Sequence, residues 1–230
     1  MTLRVAALFS GGKDSTYAVW IAQHLGWDIA TLVTVKPSGP DSMIFHHPNV
    51  EWTGLQAKAM GLPHIIVEEE DEGGLLNLQE GLVQLKTQKN ISGLVTGAIA
   101  SEYQKTRFDG MCDLIGLKCY SPLWRKSARL LIDDFQGLRL RIFLTAVGAN
   151  GLDEKWLGKE LTENEWSRFE RLAAKNGIDL AGEGGEYESF VFDAPFFAKT
   201  IAIEKVRKEW DGQRGRLVIV KASLRDKLTN

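Results

Sequence analysis

Ser10-Gly11-Gly12-Lys13-Asp14-Ser15 gathers in one short stretch what a phosphate chain requires. The two glycines let the main chain approach phosphate oxygens with no side chain in the way. Lys13 adds a point charge, and Ser10 and Ser15 add hydroxyl donors. A second stretch, Gly182-Glu183-Gly184-Gly185-Glu186-Tyr187-Glu188-Ser189-Phe190, sets three carboxylates around two glycines ahead of an apolar run. It reads as a flexible acidic loop. Carboxylates do not hold phosphate directly; they hold a magnesium ion through water, or bind a cationic substrate. On composition alone the stretch also reads as an exposed acidic turn.

A third stretch runs from Gly97 to Gln104. Small residues at Gly97 and Ala98 would let a flat purine or ribose lie against the backbone, and Tyr103, Gln104 and Arg107 would point toward it from the start of a helix. Arg107, a planar and always charged donor, suits charge developing on an α phosphate; it reads equally as a helix-surface arginine. His46 and His47 suggest a metal, yet adjacent histidines on a strand point to opposite sides and no third ligand follows. A nucleotide contact by His46 or an exposed loop is preferred to a metal, and no metal site is assigned to side chains.

These residues need elements to place them. Arg4 to Phe9 reads as a buried strand, and Tyr17, Ala18, Ile21, Ala22 and Leu25 recur at helical spacing after the glycine turn. Strand, turn and helix in that order aim unpaired N–H groups and a helix dipole at an anion. Further strands are predicted over Asp28 to Lys36, His64 to Val67 and Gly93 to Ile99. Helices are predicted over Glu51 to Met60, across Leu75 to Leu85 after the acidic run Glu68 to Glu72, and over Ser101 to Ile115. Alternating strands and helices imply an α/β fold, a mostly parallel sheet with helices on both faces and ligands at the strands' carboxyl ends. Beyond Pro122 the rhythm changes. Ser127 to Asp134 reads as helix, Leu138 to Val147 as strand, and Thr162 with Glu165 as a capping box opening a helix that stops near Gly177. Thr200 to Val206 and Arg216 to Ala222 read as antiparallel strands, so the C-terminal part is a smaller mixed α+β domain. The boundary is placed at 124/125.

The chain has 230 residues, a net charge of −2 and the hydrophobic and charged fractions of an ordinary globular protein. That charge gives no reason to expect broad nucleic-acid binding. No apolar run approaches the roughly 20 residues of a membrane span, and no basic region followed by an apolar stretch opens the chain, so a cytoplasmic protein without membrane association is expected. Cys112 and Cys119 fit neither a disulfide framework nor a usual zinc spacing and read as reduced thiols.

Asp14 after the lysine, with no glycine four residues before a Gly-Lys-Ser/Thr triplet, sets the first loop apart from the common ATP-binding loop. It resembles the SGGxDS loop of the PP-loop ATP pyrophosphatases, which cleave ATP between its α and β phosphates. Taken with Thr96-Gly97-Ala98-Ile99-Ala100-Ser101-Glu102-Tyr103-Gln104-x-x-Arg107, Pro122-Leu123-Trp124, Gly151-Leu152-Asp153 and Glu183-Gly184-Gly185-Glu186-Tyr187-Glu188, it resembles the diphthine-ammonia ligase family across nearly the whole chain. The resemblance implies an adenine-nucleotide alpha hydrolase-like domain over residues 1–124 and an acceptor-substrate domain over 125–230. It implies ATP with Mg2+, and translation elongation factor 2 carrying diphthine as partner. The diphthine carboxylate would be adenylated and then amidated, with Lys13, Asp14 and Arg107 catalytic.

In that mechanism Ser10 to Ser15 would hold the β and γ phosphates, and Glu183, Glu186 and Glu188 would face the trimethylammonium of diphthine, with a cation–π contact from Tyr187. No glutaminase domain is read in these residues, so free ammonium is the expected nitrogen source. Three other readings stay open. They are a PP-loop ligase for another carboxylate, for example a cobalamin-related one, a tRNA-modifying PP-loop enzyme, and a non-catalytic nucleotide-binding module.

Overall fold

Runs of buried β-branched and small residues alternate with helical stripes from the start of the chain, and in the computed structural model they form a parallel sheet. The structure describes residues 2–37, 49–69 and 74–227. In order these are β1 (Arg4–Leu8), α1 (Lys13–His24), β2 (Asp28–Lys36), α2 (Thr53–Met60), β3 (His64–Glu68), α3 (Leu76–Lys89), β4 (Gly93–Val95), α4 (Glu102–Leu114) and β5 (Lys118–Tyr120). The strands pair in the order β3-β2-β1-β4-β5, all parallel. Chain order therefore reverses beside β1, and a crevice opens between the carboxyl ends of β1 and β4, where α1 and α4 begin.

The sheet is buried on both faces. Val5 and Ala7 of β1 pack with Tyr17, Ala18 and Ala22 of α1, while Ala6 packs with Leu78 and Leu82 of α3 and Phe108 and Met111 of α4. The first face continues without a break into the second half of the chain. There α5 (Ala128–Gly137), β6 (Arg141–Val147), α6 (Glu163–Asn176), β7 (Tyr187–Asp193), β8 (Lys199–Trp210) and β9 (Gly215–Asp226) build an antiparallel sheet ordered β7-β6-β9-β8. Trp166, Phe169, Ile142 and Phe190 share one core with Val5 and Tyr17. Polar contacts sew the same seam: Asn49 Nδ2 donates to Leu217 O at 2.8 Å, Trp52 Nε1 to Ile219 O at 3.0 Å and Ala198 N to Ala59 O at 2.7 Å.

Several expected boundaries move. The strand expected to Ile99 ends at Val95, which releases Thr96 to Ala98 into the crevice. The helix after Ser127 runs on to Gly137, and Arg139 turns the chain at φ 54°, so β6 starts at Arg141 and not at Leu138. Thr162 does precede α6, but its side chain makes no cap bond, and Glu165 turns to Lys159 Nζ at 3.0 Å. The expected capping box is not formed. Tyr187, Glu188 and Ser189 belong to β7, so the acidic loop ends at Glu186, three residues earlier than expected. β5 was not foreseen, because three residues are too short a run to show a period.

Candidate nucleotide-binding cleft

β1 ends beneath the glycine turn, and the turn is held open from below. Gly11 lies at φ +81°, in the left-handed region that glycine adopts without strain. Its carbonyl accepts from Val191 N at 3.0 Å and from Gln56 Nε2 at 2.8 Å. Ser10 Oγ and Ser15 Oγ lie 3.1 Å apart and bracket the loop. Gly12 caps α1 with no side-chain bond, which leaves the first amides of the helix pointed at the crevice.

The crevice is a cleft of about 330 Å³. Its floor is Ser10, Lys13, Asp14 and Ser15; one wall is Thr96, Gly97, Ala98, Ser101 and Gln104, and the other is Ala181, Glu183, Tyr187 and Glu188. All three stretches singled out in the sequence thus meet in one place. Gly97 serves a tighter purpose than admitting a purine: a Cβ there would lie 2.8 Å from Ser15 N, so the end of β4 rests directly on the start of α1.

Lys13 is only 3% exposed, and Nζ donates to Asp14 Oδ2 at 2.8 Å and to Ala181 O at 2.6 Å. Burial pulls the pKa of the ammonium down, but the adjacent Asp14 carboxylate, with Glu188, outweighs it and holds the pKa above the ordinary lysine range. The ammonium also sits 4.9 Å from the centre of the Tyr187 ring. Tyr187 is itself buried, its hydroxyl donating to Leu180 O at 2.6 Å. The Tyr187 ring, expected to face a substrate cation, also faces the Lys13 ammonium.

Glu183 spans the mouth of the cleft, Oε2 accepting from Ala100 N at 2.8 Å and Ser101 N at 3.1 Å. Burial raises its pKa, the Ala100 and Ser101 amides pull it back, and the Asp14 charge adds to the rise. Glu186 turns away, its Oε1 accepting from Asp179 N at 3.2 Å. Tyr103 and Arg107 lie outside the cleft lining on the next stripe of α4, where the guanidinium is 5.3 Å from the Tyr103 ring centre. His46 falls outside the described residues.

Two residues that hold the site were given no role in the sequence reading, although Ser189 lies within the second stretch. Gln56 lies on the buried stripe of α2, three residues before Ala59 and four after Trp52, and a polar residue on an apolar stripe is a signal. Ser189 alternates with Tyr187 and Val191 along β7, and its Oγ accepts from Lys13 N at 3.1 Å. Among the described residues no group of three His, Cys, Asp or Glu side chains converges as a metal site, and no helix is long and apolar enough to cross a membrane.

A glycine-turn phosphate loop at the reversal point of a parallel sheet, with Asp14 after Lys13, defines an α/β nucleotide-binding protein of the PP-loop class. Residues 3–119 match the family model described as the diphthamide synthase N-terminal domain, and residues 127–224 match the diphthamide synthase C-terminal domain. The chain belongs to the diphthamide synthase family. It is similar to a Danio rerio protein named diphthine–ammonia ligase, at 33% identity over 222 residues, 88% of this chain and 87% of that one. The Bos taurus protein of that name is 32% identical over 223 residues, 88% of this chain and 83% of the relative. The Schizosaccharomyces pombe protein is 30% identical over 246 residues, 98% of this chain and 40% of that longer one.

Proposed function

We propose that the chain is a cytoplasmic diphthine–ammonia ligase. It uses ATP to adenylate the carboxylate of diphthine on translation elongation factor 2, and ammonia then displaces AMP to leave the amide. A carboxylate is a poor acyl donor because its leaving group would be oxide. In the first step a carboxylate oxygen bonds to the α phosphorus and pyrophosphate leaves. In the second, nitrogen bonds to the acyl carbon, AMP leaves with the carbon–oxygen electron pair, and the nitrogen sheds its extra proton.

The observation that carries this reading is the convergence of Ser10–Ser15 with Glu183 and Glu188 across one cleft. The loop amides, the two serine hydroxyls and the Lys13 ammonium are donors for the departing pyrophosphate, and such preorganised donors are the largest catalytic effect in phosphoryl chemistry. Asp14 keeps Lys13 charged and fixed. Glu183 and Glu188 give the opposite wall the negative charge that suits the trimethylammonium of diphthine, and residues 125–230 supply that wall as the acceptor-substrate part. Asp14 and Glu188 are oxygen donors of the kind Mg2+ takes, one or two carboxylates completed by phosphate and water. The ion fits as a partner of the nucleotide, whose charge it would share.

The test is a radiolabelled-ATP assay with purified protein, magnesium, ammonium and diphthine-bearing elongation factor 2. It scores AMP and pyrophosphate together with conversion of carboxylate to amide. Both appear in step under this reading. AMP formed only with another carboxylate would keep the chemistry and change the substrate, and ADP as product would sink the reading altogether.

A further inference from the structure

Two helices start at the cleft, and the N–H groups there have no partner inside their own helix. One C-terminal segment takes donors from both. Ser189 Oγ accepts from Lys13 N at the head of α1 at 3.1 Å, and Glu183 Oε2 accepts from Ala100 N and Ser101 N at the head of α4 at 2.8 and 3.1 Å. Between them Ala181 O accepts from Lys13 Nζ at 2.6 Å. Residues 181–189 thus engage three backbone amides and the Lys13 ammonium in the cleft. Each of these is a donor that a polyphosphate would use. The carboxylate of Glu183 in particular stands where a phosphate oxygen would stand.

Ahead of β7 the segment is turn, not strand: Gly182 lies at φ +78° and Gly185 at φ +75°, and a Cβ at Gly185 would meet open space. An anionic phosphate and the Glu183 carboxylate cannot share one pair of donors.

Resting on the nucleotide-binding reading above, we infer that residues 181–186, ahead of β7, form a strap that nucleotide displaces: phosphate takes the Ala100 and Ser101 amides from Glu183 and the Lys13 ammonium from Ala181. Displacement frees Glu183 to face the cationic acceptor. Nucleotide therefore binds first and acceptor second, because the acidic wall is complete only after the strap is released.

The experiment is calorimetric binding of ATP, and separately of inorganic pyrophosphate with magnesium, to the full chain and to Glu183→Ala and Glu183→Gln. Hydrogen exchange across 182–186 is followed in the wild type with and without ATP. Removing the competing anion tightens both ligands, about tenfold in Glu183→Ala and less in Glu183→Gln, which keeps an acceptor oxygen. ATP speeds exchange in the wild-type strap. Affinity unchanged or weaker in both variants, or exchange indifferent to ATP, overturns the strap while leaving nucleotide binding intact. No binding of either ligand to the wild type overturns both. Should Glu183→Ala fail to fold, Glu183→Gln and the wild-type exchange decide.

Discussion

The side-chain amide of Gln56 donates to the carbonyl of Gly11 at 2.8 Å, and the same nitrogen reaches Val191 O at 2.8 Å. Gln56 is fully buried, so one side chain of α2 fixes the phosphate loop on one side and β7 on the other. This contact ties the parallel sheet's phosphate loop to the antiparallel sheet.

Gln56→Leu keeps the volume and removes both bonds. Gly11 O retains Val191 N, but Val191 O loses its side-chain donor, and the expected cost is about 2 kcal/mol in urea unfolding. Gly11→Ala meets two penalties at once: a left-handed φ worth about 1–2 kcal/mol and a Cβ 2.1 Å from Gln56 Oε1. Shortening Gln56 to Ala removes the second penalty. The double variant Gly11→Ala/Gln56→Ala is then less destabilised than the sum of the singles by about 1 kcal/mol or more. Strict additivity would mean that the two residues do not meet.

Gly97→Ala tests the packing of β4 on α1. The added carbon lies 2.8 Å from Ser15 N and 3.0 Å from Asp14 C, both backbone atoms, which cannot swing aside as a flexible side chain would. A loss of about 1–3 kcal/mol and a parallel fall in ATP affinity are expected, because the shift is forced on the phosphate loop itself. A variant as stable as the wild type would show that this approach is slack.

The N-terminal fold was legible because its signals are local. β2 carries seven consecutive buried positions, so Asp28 to Lys36 reads as a central parallel strand without ambiguity. The phosphate loop was legible for the same reason, since its chemistry and its flanking strand and helix lie within one window. What the sequence hid was long range. Ser189 lies 176 residues from Lys13 and Gln56 lies 135 from Val191, and no periodicity encodes such pairings. Tyr103 and Arg107 lie on the stripe of α4 next to Gln104, where the guanidinium faces the Tyr103 ring.

Lys13→Ala is expected to lower AMP and pyrophosphate formation by at least about a hundredfold, since it removes the one side-chain cation at the loop and leaves Asp14 without its 2.8 Å partner. Tyr187→Phe keeps the ring beneath the ammonium and loses the hydroxyl's bonds, that to Leu180 O among them, for about 1 kcal/mol of stability and little change in turnover. Measured side by side, the pair separates charge from packing. Turnover in Lys13→Ala above a tenth of the wild-type rate would remove the loop from phosphate chemistry.

His64 provides a pH signature outside the cleft. Its Nε2 lies 2.9 Å from Thr34 Oγ1 and 3.4 Å from Thr53 Oγ1, while those hydroxyls donate to Phe9 O and Val50 O, each at 2.7 Å. With both hydroxyl protons spent, Nε2 must carry hydrogen and donate, so the ring rests as the neutral Nε2–H tautomer. Burial holds its pKa below the ordinary 6.5. The folded chain therefore binds fewer protons than the unfolded chain between the two values. The stability that His64 contributes is complete above the unfolded pKa and is lost as pH falls through the folded one. The melting temperature should drop between pH 7.5 and pH 5, and drop less in His64→Gln, which has an amide donor but no titration. The ring is half-buried, so the difference will be modest. Superimposable pH profiles for the two proteins would exclude His64 as the titrating group.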